Sequence, residues 1–283
     1  MLRLYIWDEA HNSGFSITIF TKAIFKIGYL GFPVGGTITG STIDDDIFNS
    51  LKALLPPGLI HILRIPSGIC SPTSISTESH LSCPETYIPE LGSWTFDCLS
   101  KHCRRDIKKA TRENEDVNEV IDPQHCTSIY KLYENTIRKN DGSLRYNEKY
   151  FKSIIIASKN NKEIRITCIK NKGEIIAFLI VALSNDVANY LHGAINYSFR
   201  KSLPNDLLIY DAIMWAKNNN AKSFNLMCSP NNQLNLVKYK EKWGGTTSSN
   251  ITIEHNLSLL HSSMFKMATS SIHVANKFIS KYR

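Results

Sequence analysis

The pattern of apolar and polar positions is clearest in the second half of the chain, where it predicts three consecutive strands. Glu163–Ile169 alternates between apolar and polar residues, which is typical of a half-buried strand. Glu174–Leu183 is a continuous apolar run, as in a central strand covered on both faces, and Val187–Ile195 follows. Short turns at Asn171–Gly173 and Asn185–Asp186 join the strands. The pattern therefore predicts an antiparallel meander.

After the meander, the period of the apolar positions changes to that of helices. The predicted elements are a helix Asp206–Asn218 capped by Asn205, a strand Ser223–Met227, a helix opened by Ser229-Pro230 and ended by Gly244-Gly245, and a strand Ser248–Glu254. The basic turn Phe199–Asn205 directly precedes the N-terminus of the first helix. Such a turn is able to hold phosphate groups, because the first N–H groups of a helix are unpaired.

The first half of the chain divides at a segment that is poor in large apolar residues. Before it, residues 1–70 alternate strands with a helix at Asp44–Leu55 in the α/β manner. Pro66–Glu90 is rich in Ser, Thr and Pro, and indicates either a linker or an active-site loop. Amphipathic helices are then predicted at Trp94–Arg112, which is strongly basic, at Cys126–Asn140 and at Glu148–Ser158.

The C-terminal segment Asn256–Arg283 contains no acidic residue and has apolar residues at helical spacing. A basic amphipathic helix of this kind either lies on a membrane surface or packs its apolar face on its own protein. We therefore predict three parts: a shortened N-terminal subdomain (1–90), a main domain (91–255) and a C-terminal amphipathic basic helix (256–283).

Composition narrows the class of protein. The chain has 283 residues, of which 42% are hydrophobic and 20% are charged, with a net charge of +8. This charge favours polyanionic partners, unless it only reflects a lysine-rich surface. The cysteines number 7 and form no C-x-x-C pair, so we expect reduced thiols and neither a zinc ribbon nor a disulfide framework. This cysteine pattern also predicts no metal site. Neither a signal peptide nor an apolar run of membrane-spanning length is evident, which predicts a cytoplasmic protein.

Three motifs in order resemble those of Fem-type peptidyltransferases and BioF-like acetyltransferases of the GNAT superfamily. They are R-x-I-K-K-A at Arg105–Ala110, the segment SLPNDLLIYDAIMWAKNNNAKSFNLM, and LVKYKEKWGG. The resemblance covers roughly residues 95–255. This chain departs from the family in having Asn225 where Asp is usual and Tyr239 where Phe is usual. Its turn RKSLPND also lacks the glycines of the usual pyrophosphate loop.

The resemblance implies an α/β (α+β) fold with a mixed, largely antiparallel sheet flanked by helices, and with a shortened N-terminal GNAT-like half. It implies an N-acyltransferase that moves an acyl group, from acyl-CoA as co-substrate, to the amine of an amino sugar or amino acid. The acceptor would be linked to a nucleotide or lipid carrier in cell-envelope polysaccharide or peptidoglycan-related synthesis. An alternative donor is aminoacyl-tRNA. The enzyme would then be cytoplasmic, in one alternative at the inner face of the membrane.

The resemblance and the local patterns together nominate the site residues. His192, Tyr239 and Lys240 are the catalytic candidates: His192 as a general base on a strand face shared with Tyr190 and Ala194, Tyr239 as a wall or proton donor, and Lys240 as a counter-charge. The other candidates are, for the donor phosphates, Arg200, Lys201, Ser202 and Asn205, and, for the acceptor, Arg105, Tyr190 and Asn225.

Two readings outside catalysis stay open. One is a nucleic-acid-binding protein that uses the basic helix Trp94–Arg112 and the basic tail. Against it, aromatic residues are not interleaved with the basic ones as a stacking platform requires, and no DNA-binding signature appears. The other is a GNAT-like protein that binds a ligand without catalysing a reaction. We expect tRNA as an alternative partner but not DNA.

Overall fold

The computed structural model describes residues 2–8, 13–22, 24–30, 36–37, 45–66, 79–140 and 144–268. The strands are β1 (Leu2–Asp8), β2 (Ser13–Lys22), β3 (Phe25–Leu30), β4 (Gly36–Thr37), β5 (Ile62–Pro66), β6 (Ser79–Ile88), β7 (Asn118–Glu119), β8 (Ile164–Asn171), β9 (Glu174–Ser184), β10 (Val187–Ile195), β11 (Ser223–Cys228) and β12 (Thr246–Asn256). The helices are α1 (Asp45–Leu54), α2 (Lys101–Glu113), α3 (Cys126–Lys139), α4 (Glu148–Ser158), α5 (Pro204–Asn218) and α6 (Leu234–Glu241).

The chain forms two compact units. One consists of Met1–Cys83 with Ser249–Arg283, and the other is Pro84–Ser248. The domain limits expected from the sequence, 1–90, 91–255 and 256–283, remain a prediction. No helix among the described residues is long and apolar enough to cross a bilayer.

The unit Pro84–Ser248 has the strand order β6-β11-β10-β9-β8-β7, and its β8-β9-β10 part is the antiparallel meander that the sequence predicts. Alternate residues of β9 enter two separate cores, which explains its continuous apolar run. Leu179 packs with α2 and α5 on one face, and Phe178 packs with α3 and α4 on the other. The predicted fold class, a largely antiparallel sheet flanked by helices, is confirmed.

Two predicted boundaries in this unit are wrong. The basic helix α2 begins at Lys101 rather than Trp94, because the Ser100 hydroxyl caps it by accepting a hydrogen bond from Cys103 N (3.1 Å). Residues 79–88 form strand β6, although the sequence suggested a linker or loop throughout Pro66–Glu90. Strand β6 pairs with β11 at Phe224↔Ile88, and this long-range pairing overrides its weak local preference.

The other unit contains a mixed sheet in the order β1-β2-β3-β5-β12, in which β3 and β5 are parallel. Its core lies on one face, where Ile17, Leu30 and Leu63 pack with Leu51 of α1. Residues 259–268 are helical, within the predicted C-terminal helix, and residues 269–283 of that prediction lie outside the described residues. Phe265 of this helix contacts Phe25 of β3 edge-on, with ring centroids 5.2 Å apart.

Candidate active site

An opening between two parallel strands dominates the unit Pro84–Ser248. Strands β10 and β11 are in register from Val187↔Ser223 to Asn189↔Asn225. Beyond that point β10 continues against β9 and β11 continues against β6, while the two strands no longer pair with each other in the described residues. Beyond Asn189, the edge of β10 that faces β11 has no strand partner among the described residues, so its backbone groups are able to hydrogen-bond an extended ligand.

Asn225 and Lys240 hold the irregular end of β11. Asn225 is buried, donates from Nδ2 to Glu85 Oε1 (3.0 Å), and accepts at Oδ1 from Met227 N (2.6 Å). Met227 has a φ of 64°, which a non-glycine residue rarely adopts. Lys240 Nζ donates to the carbonyls of Met227 (2.8 Å) and Cys228 (3.0 Å). Both residues thus fix the backbone that borders the opening, and their predicted roles in chemistry and substrate binding remain predictions.

A β-bulge in β10 separates two residues that the sequence placed on one face. The register against β9 shifts between Tyr190 and His192. As a result, Tyr190 packs with the core shared by α2 and α5, whereas Ala194 belongs to the core under α3 and α4. The prediction that Tyr190 shares a face with His192 and Ala194 is wrong, because the bulge adds one residue to the two-residue alternation of the strand.

His192 lies in an aromatic cluster on the face of α3 and α4. Its Nε2 is 2.8 Å from the hydroxyl of Tyr150, and its ring contacts those of Tyr146 (4.9 Å between centroids) and Phe151 (5.4 Å). Burial lowers the pKa of His192 to about 4. The imidazole is therefore neutral at neutral pH, but it lies on the opposite face of the sheet from Tyr190.

Tyr239 joins α6 to the first turn of α5. Its hydroxyl donates to the Asp206 carboxylate and accepts from Asn205 Nδ2 (2.9 Å). Lys242 Nζ lies 2.7 Å from Asp206 Oδ2 and 4.4 Å from the centre of the Tyr239 ring. Burial, and then the charge of Asp206, raise the pKa of Tyr239 well above its usual value. Since its one proton is already donated, Tyr239 is better suited to holding the two helices together than to giving a proton to a leaving group.

Tyr190, rather than Tyr239, has a hydroxyl that is able to act as a proton donor to a ligand. Among the described residues its hydroxyl has no hydrogen-bond partner. Burial raises the pKa of Tyr190, so the phenol is protonated at neutral pH. Its hydroxyl lies over Gly193, where a Cβ would be only 1.9 Å from that oxygen. Gly193 is therefore needed at this place in β10 to make room for the Tyr190 hydroxyl.

The residues of the basic turn before α5 that were predicted to bind the phosphates of the acyl donor fall into two groups in the structure. Arg200 and Lys201 are exposed near the end of a 3-10 helix, Tyr197–Ser202, with the Arg200 guanidinium 4.3 Å from the centre of the Tyr197 ring. The Ser202 hydroxyl is instead 3.1 Å from Asn114 Oδ1, so it already has a protein partner. Asn205 reaches Tyr239, as described above. The structure thus leaves Arg200 and Lys201 as the cations of this turn.

Arg105 lies in a second, separate feature, a basic groove on α2. The groove is a cavity of about 790 Å³ lined by Phe96, Asp97, Lys101, His102, Arg104, Arg105 and Lys108. Arg105 Nη2 is 2.8 Å from His102 Nδ1, and His102 Nε2 is 3.2 Å from Asp106 Oδ2. Because a guanidinium only donates, Nδ1 of a neutral His102 must accept, which places its proton on Nε2 towards Asp106.

Asp106, Asp206 and Lys242 are the members of the site that sequence reasoning missed. Asp106 Oδ2 is also 3.5 Å from Lys242 Nζ, so polar contacts run from Arg105 in the basic groove to Tyr239. The available signal was weak: Asp106 stands among basic residues of a predicted helix, and Asp206 stands at the start of another. No pattern in the sequence indicated that these two residues meet Lys242, which directly follows α6.

Comparison with known proteins agrees with this geometry. Residues 101–241 match the family model described as an acetyltransferase (GNAT) domain. This domain belongs to the GNAT acetyltransferase family. The prediction of an N-acyltransferase of the GNAT superfamily is thereby confirmed. No significant match to a curated protein is found.

Solved structures extend the similarity of this GNAT protein over most of the chain. FemX is 10% identical with a TM-score of 0.64, covering 94% of this chain and 89% of FemX. The C-terminal domain of a putative lysylphosphatidylglycerol synthetase from Agrobacterium fabrum is 9% identical with a TM-score of 0.61, covering 95% and 88%. A tandem GNAT protein from the clavulanic acid biosynthesis pathway is 9% identical with a TM-score of 0.54, covering 87% and 79%. At these identities the likeness concerns the fold, and the fold is the Fem-like GNAT arrangement.

Proposed function

We propose that this GNAT protein transfers an acyl group from acyl-CoA to the amine of an amino sugar or amino acid that is linked to a nucleotide or lipid carrier in cell-envelope synthesis. The observation that carries the proposal is the opening between β10 and β11, with the unpartnered Tyr190 hydroxyl among its neighbours. The fold likeness to FemX and to the lysylphosphatidylglycerol synthetase domain supports the envelope setting.

The opening suits the donor. Acyl-CoA carries its thioester at the end of an amide-containing arm, and such an arm is able to hydrogen-bond to the unpaired edge of a strand. The phosphates at the other end of the donor need cations, which Arg200 and Lys201 offer at the N-terminus of α5. The first turn of α5 lies between the opening and the cations Arg200 and Lys201, and Asn205 in this turn hydrogen-bonds to Tyr239.

Transfer requires the amine nitrogen to bond to the acyl carbon, the carbon–sulfur bond to break, and the proton lost by the amine to end on the thiol. In this proposal, backbone N–H groups of β10 beyond Asn189 stabilise the negative oxygen of the tetrahedral intermediate. Tyr190, which is protonated and whose hydroxyl has no hydrogen-bond partner among the described residues, donates a hydrogen bond to the departing sulfur. His192 as the base of the reaction remains a prediction from the sequence.

The basic groove on α2 suits a phosphate of the carrier-linked acceptor. Arg105 hydrogen-bonds to His102 there, and Lys101 and Lys108 have no ion-pair partner among the described residues. Polar contacts connect this groove to Tyr239 through Asp106 and Lys242. An acceptor anchored at Arg105 would thus be bound next to the elements that border the donor opening.

Calorimetry with acetyl-CoA and CoA tests the donor. We expect binding to the wild type and a loss of about tenfold or more in affinity for Arg200→Ala/Lys201→Ala, because each charge-assisted contact to a phosphate contributes about 1.5–3 kcal/mol. Lys149→Ala/Lys152→Ala is the matched control, since it removes the same charge from exposed positions of α4. If the wild type neither binds CoA nor acylates any member of an amino-sugar and amino-acid panel, the proposed function is wrong.

A second candidate is aminoacyl-tRNA-dependent transfer, and the observation that favours it is the same basic groove, which also suits a nucleic-acid backbone. The two donors are distinguished by separate binding titrations with CoA and with deacylated tRNA. Binding of tRNA alone, weakened by Arg105→Ala/Lys108→Ala and strongly dependent on salt, would assign the aminoacyl donor. Binding of CoA alone would exclude it.

A further inference from the structure

His61, a buried histidine just before β5, connects strand β3 to the chain segment that follows β12. Its backbone N–H donates to Lys26 O (2.8 Å) on β3. Its carbonyl oxygen accepts three hydrogen bonds from the other segment, from Leu257 N (2.9 Å), Ser258 N (3.1 Å) and Ser262 Oγ (3.3 Å). Ser262 belongs to the C-terminal helix, residues 259–268. A displacement of His61 would therefore also loosen the start of this helix.

The hydrogen bond at the imidazole of His61 fits only the neutral ring. His61 Nδ1 accepts from the backbone N–H of Lys26 (3.2 Å), so the proton of the neutral imidazole is on Nε2. A protonated imidazole carries a hydrogen on both nitrogens. It would set the Nδ1–H of His61 against the N–H of Lys26, and two donors do not form a hydrogen bond. Protonation thus breaks the side-chain contact between His61 and β3.

The other face of the junction is a second imidazole, that of His261 on the C-terminal helix. The rings of His61 and His261 are stacked, with centroids 3.9 Å apart and planes inclined by 18°. Ser258 Oγ lies 2.8 Å from His261 Nδ1 and fixes the orientation of this ring. Two positive charges at the distance of the stack would repel each other strongly in this poorly hydrated contact. The stack therefore holds the helix only while at most one of the two rings is charged.

The charged groups around the junction do not favour a cation at His61. The titratable side chains on the surrounding elements are Lys26 on β3, Arg64 on β5, Glu254 and His255 on β12, and His261 and Lys266 on the C-terminal helix. The carboxylate of Glu254 is already engaged by Arg64 (3.0 Å) and Lys266 (3.8 Å). Burial, then the charge of the stacked imidazole and then that of Lys26 lower the pKa of His61.

We propose that His61 is an acid-sensitive attachment point of the C-terminal helix: protonation of its imidazole breaks the hydrogen bond from Lys26 and the stack on His261, and releases residues 257–268 from the sheet. The released state takes up a proton at a pKa near 6.5, and the attached state does so only at a lower pH. Attachment is therefore complete above about pH 6.5 and weakens as the pH falls below it. This response lies in the unit of residues 1–83 and 249–283 and does not depend on the proposed acyl donor.

Hydrogen exchange on the full chain tests the release. We expect the protection of amides in residues 257–268, corrected for the intrinsic pH dependence of exchange, to fall by about tenfold between pH 7 and pH 5, because release binds one extra proton. Amides of β2, in the core of the same unit, should stay protected. NMR of the His61 ring nitrogens at pH 7 should show a bare Nδ1. A protonated Nδ1, an unchanged protection of the helix, or an equal loss in β2 overturns the proposal.

Two variants separate the titration of His61 from its packing. His61→Asn offers a side-chain oxygen to Lys26 N but takes up no proton, so the protection of the helix should be lower than in the wild type and independent of pH. His261→Phe keeps a ring for the stack and should make the fall with pH shallower. The matched control is His125→Phe, which removes a histidine next to α3 and should leave the fall unchanged.

The same fall in His61→Asn as in the wild type would show that another group responds to the acid, and would overturn the proposal. If His61→Asn does not fold, the exchange and the ring-nitrogen spectrum of the wild type decide the question by themselves. Neither measurement involves CoA or acyl transfer, so a protein that fails to bind CoA would reject the proposed donor and leave this test intact.

Discussion

The hydroxyl of Tyr239 donates a hydrogen bond to the carboxylate of Asp206, and this contact joins α6 to the first turn of α5. Lys242 forms an ion pair with the other oxygen of the same carboxylate. The three groups are largely buried, so each depends on the others for its hydrogen bonds. The N-terminus of α5 is thereby fixed beside the opening between β10 and β11.

Asp206→Asn should destabilise the protein by about 2–4 kcal/mol, because it leaves the charge of Lys242 in a buried place with only Asp106 as counter-charge. Urea unfolding measures this change. The control Asp186→Asn breaks an exposed ion pair with Lys222 and should cost less than about 1 kcal/mol. Equal costs for the two variants would show that the Asp206 network does not support the fold.

Tyr190→Phe and Tyr239→Phe should affect different properties, the first the rate of the reaction and the second the stability of the fold. We expect Tyr190→Phe to lower kcat by about tenfold or more with little change in thermal stability, because its hydroxyl has no protein partner. Tyr239→Phe should lower stability by about 1–3 kcal/mol, since Asp206 Oδ1 loses the hydrogen bond from Tyr239 and Asn205 Nδ2 loses its acceptor. Steady-state kinetics and thermal unfolding on both variants check the assignment, and a larger kcat loss in Tyr239→Phe would reverse it.

Gly193→Ala should displace the Tyr190 side chain, because the new Cβ would lie 1.9 Å from its hydroxyl oxygen. We expect acyl transfer to fall by about tenfold or more while the fold is retained, and a crystal structure should show Tyr190 in another rotamer. Gly92→Ala is the control, since a Cβ there would meet nothing within 4 Å. Unchanged activity in Gly193→Ala would remove Tyr190 from the mechanism.

His192 should make stability fall as the pH is lowered. Its pKa is about 4 in the folded protein and near 6.5 when unfolded, so between these values the unfolded chain binds the extra proton. Stability is therefore fully present above about pH 6.5 and is lost down to about pH 4, by roughly 1–3 kcal/mol. Urea unfolding from pH 4.5 to 7 should show a flatter profile for His192→Phe than for the wild type. Identical profiles would mean that His192 is not held neutral by burial.

The sequence located the meander because its evidence is local. Alternation in Glu163–Ile169 and the two-sided apolar run of Glu174–Leu183 each state which faces of a strand are buried. The motif LVKYKEKWGG likewise indicated Tyr239 and Lys240 as residues of the site. It did not reveal that Lys240 holds the carbonyls of Met227 and Cys228, because the turn that brings them together is set by a bulge in β11.

The amino-acid sequence by itself determined the order of elements, the family resemblance and the basic character of α2 and of the tail, since these depend on residue type and spacing along the chain. Only the tertiary structure decided which groups meet. Tyr239 and Asp206 are separated by 33 positions, and the bulge in β10 places Tyr190 and His192 on opposite faces. A bulge or a buried ion pair is stabilised by contacts distant in sequence, and no periodicity along the chain records them.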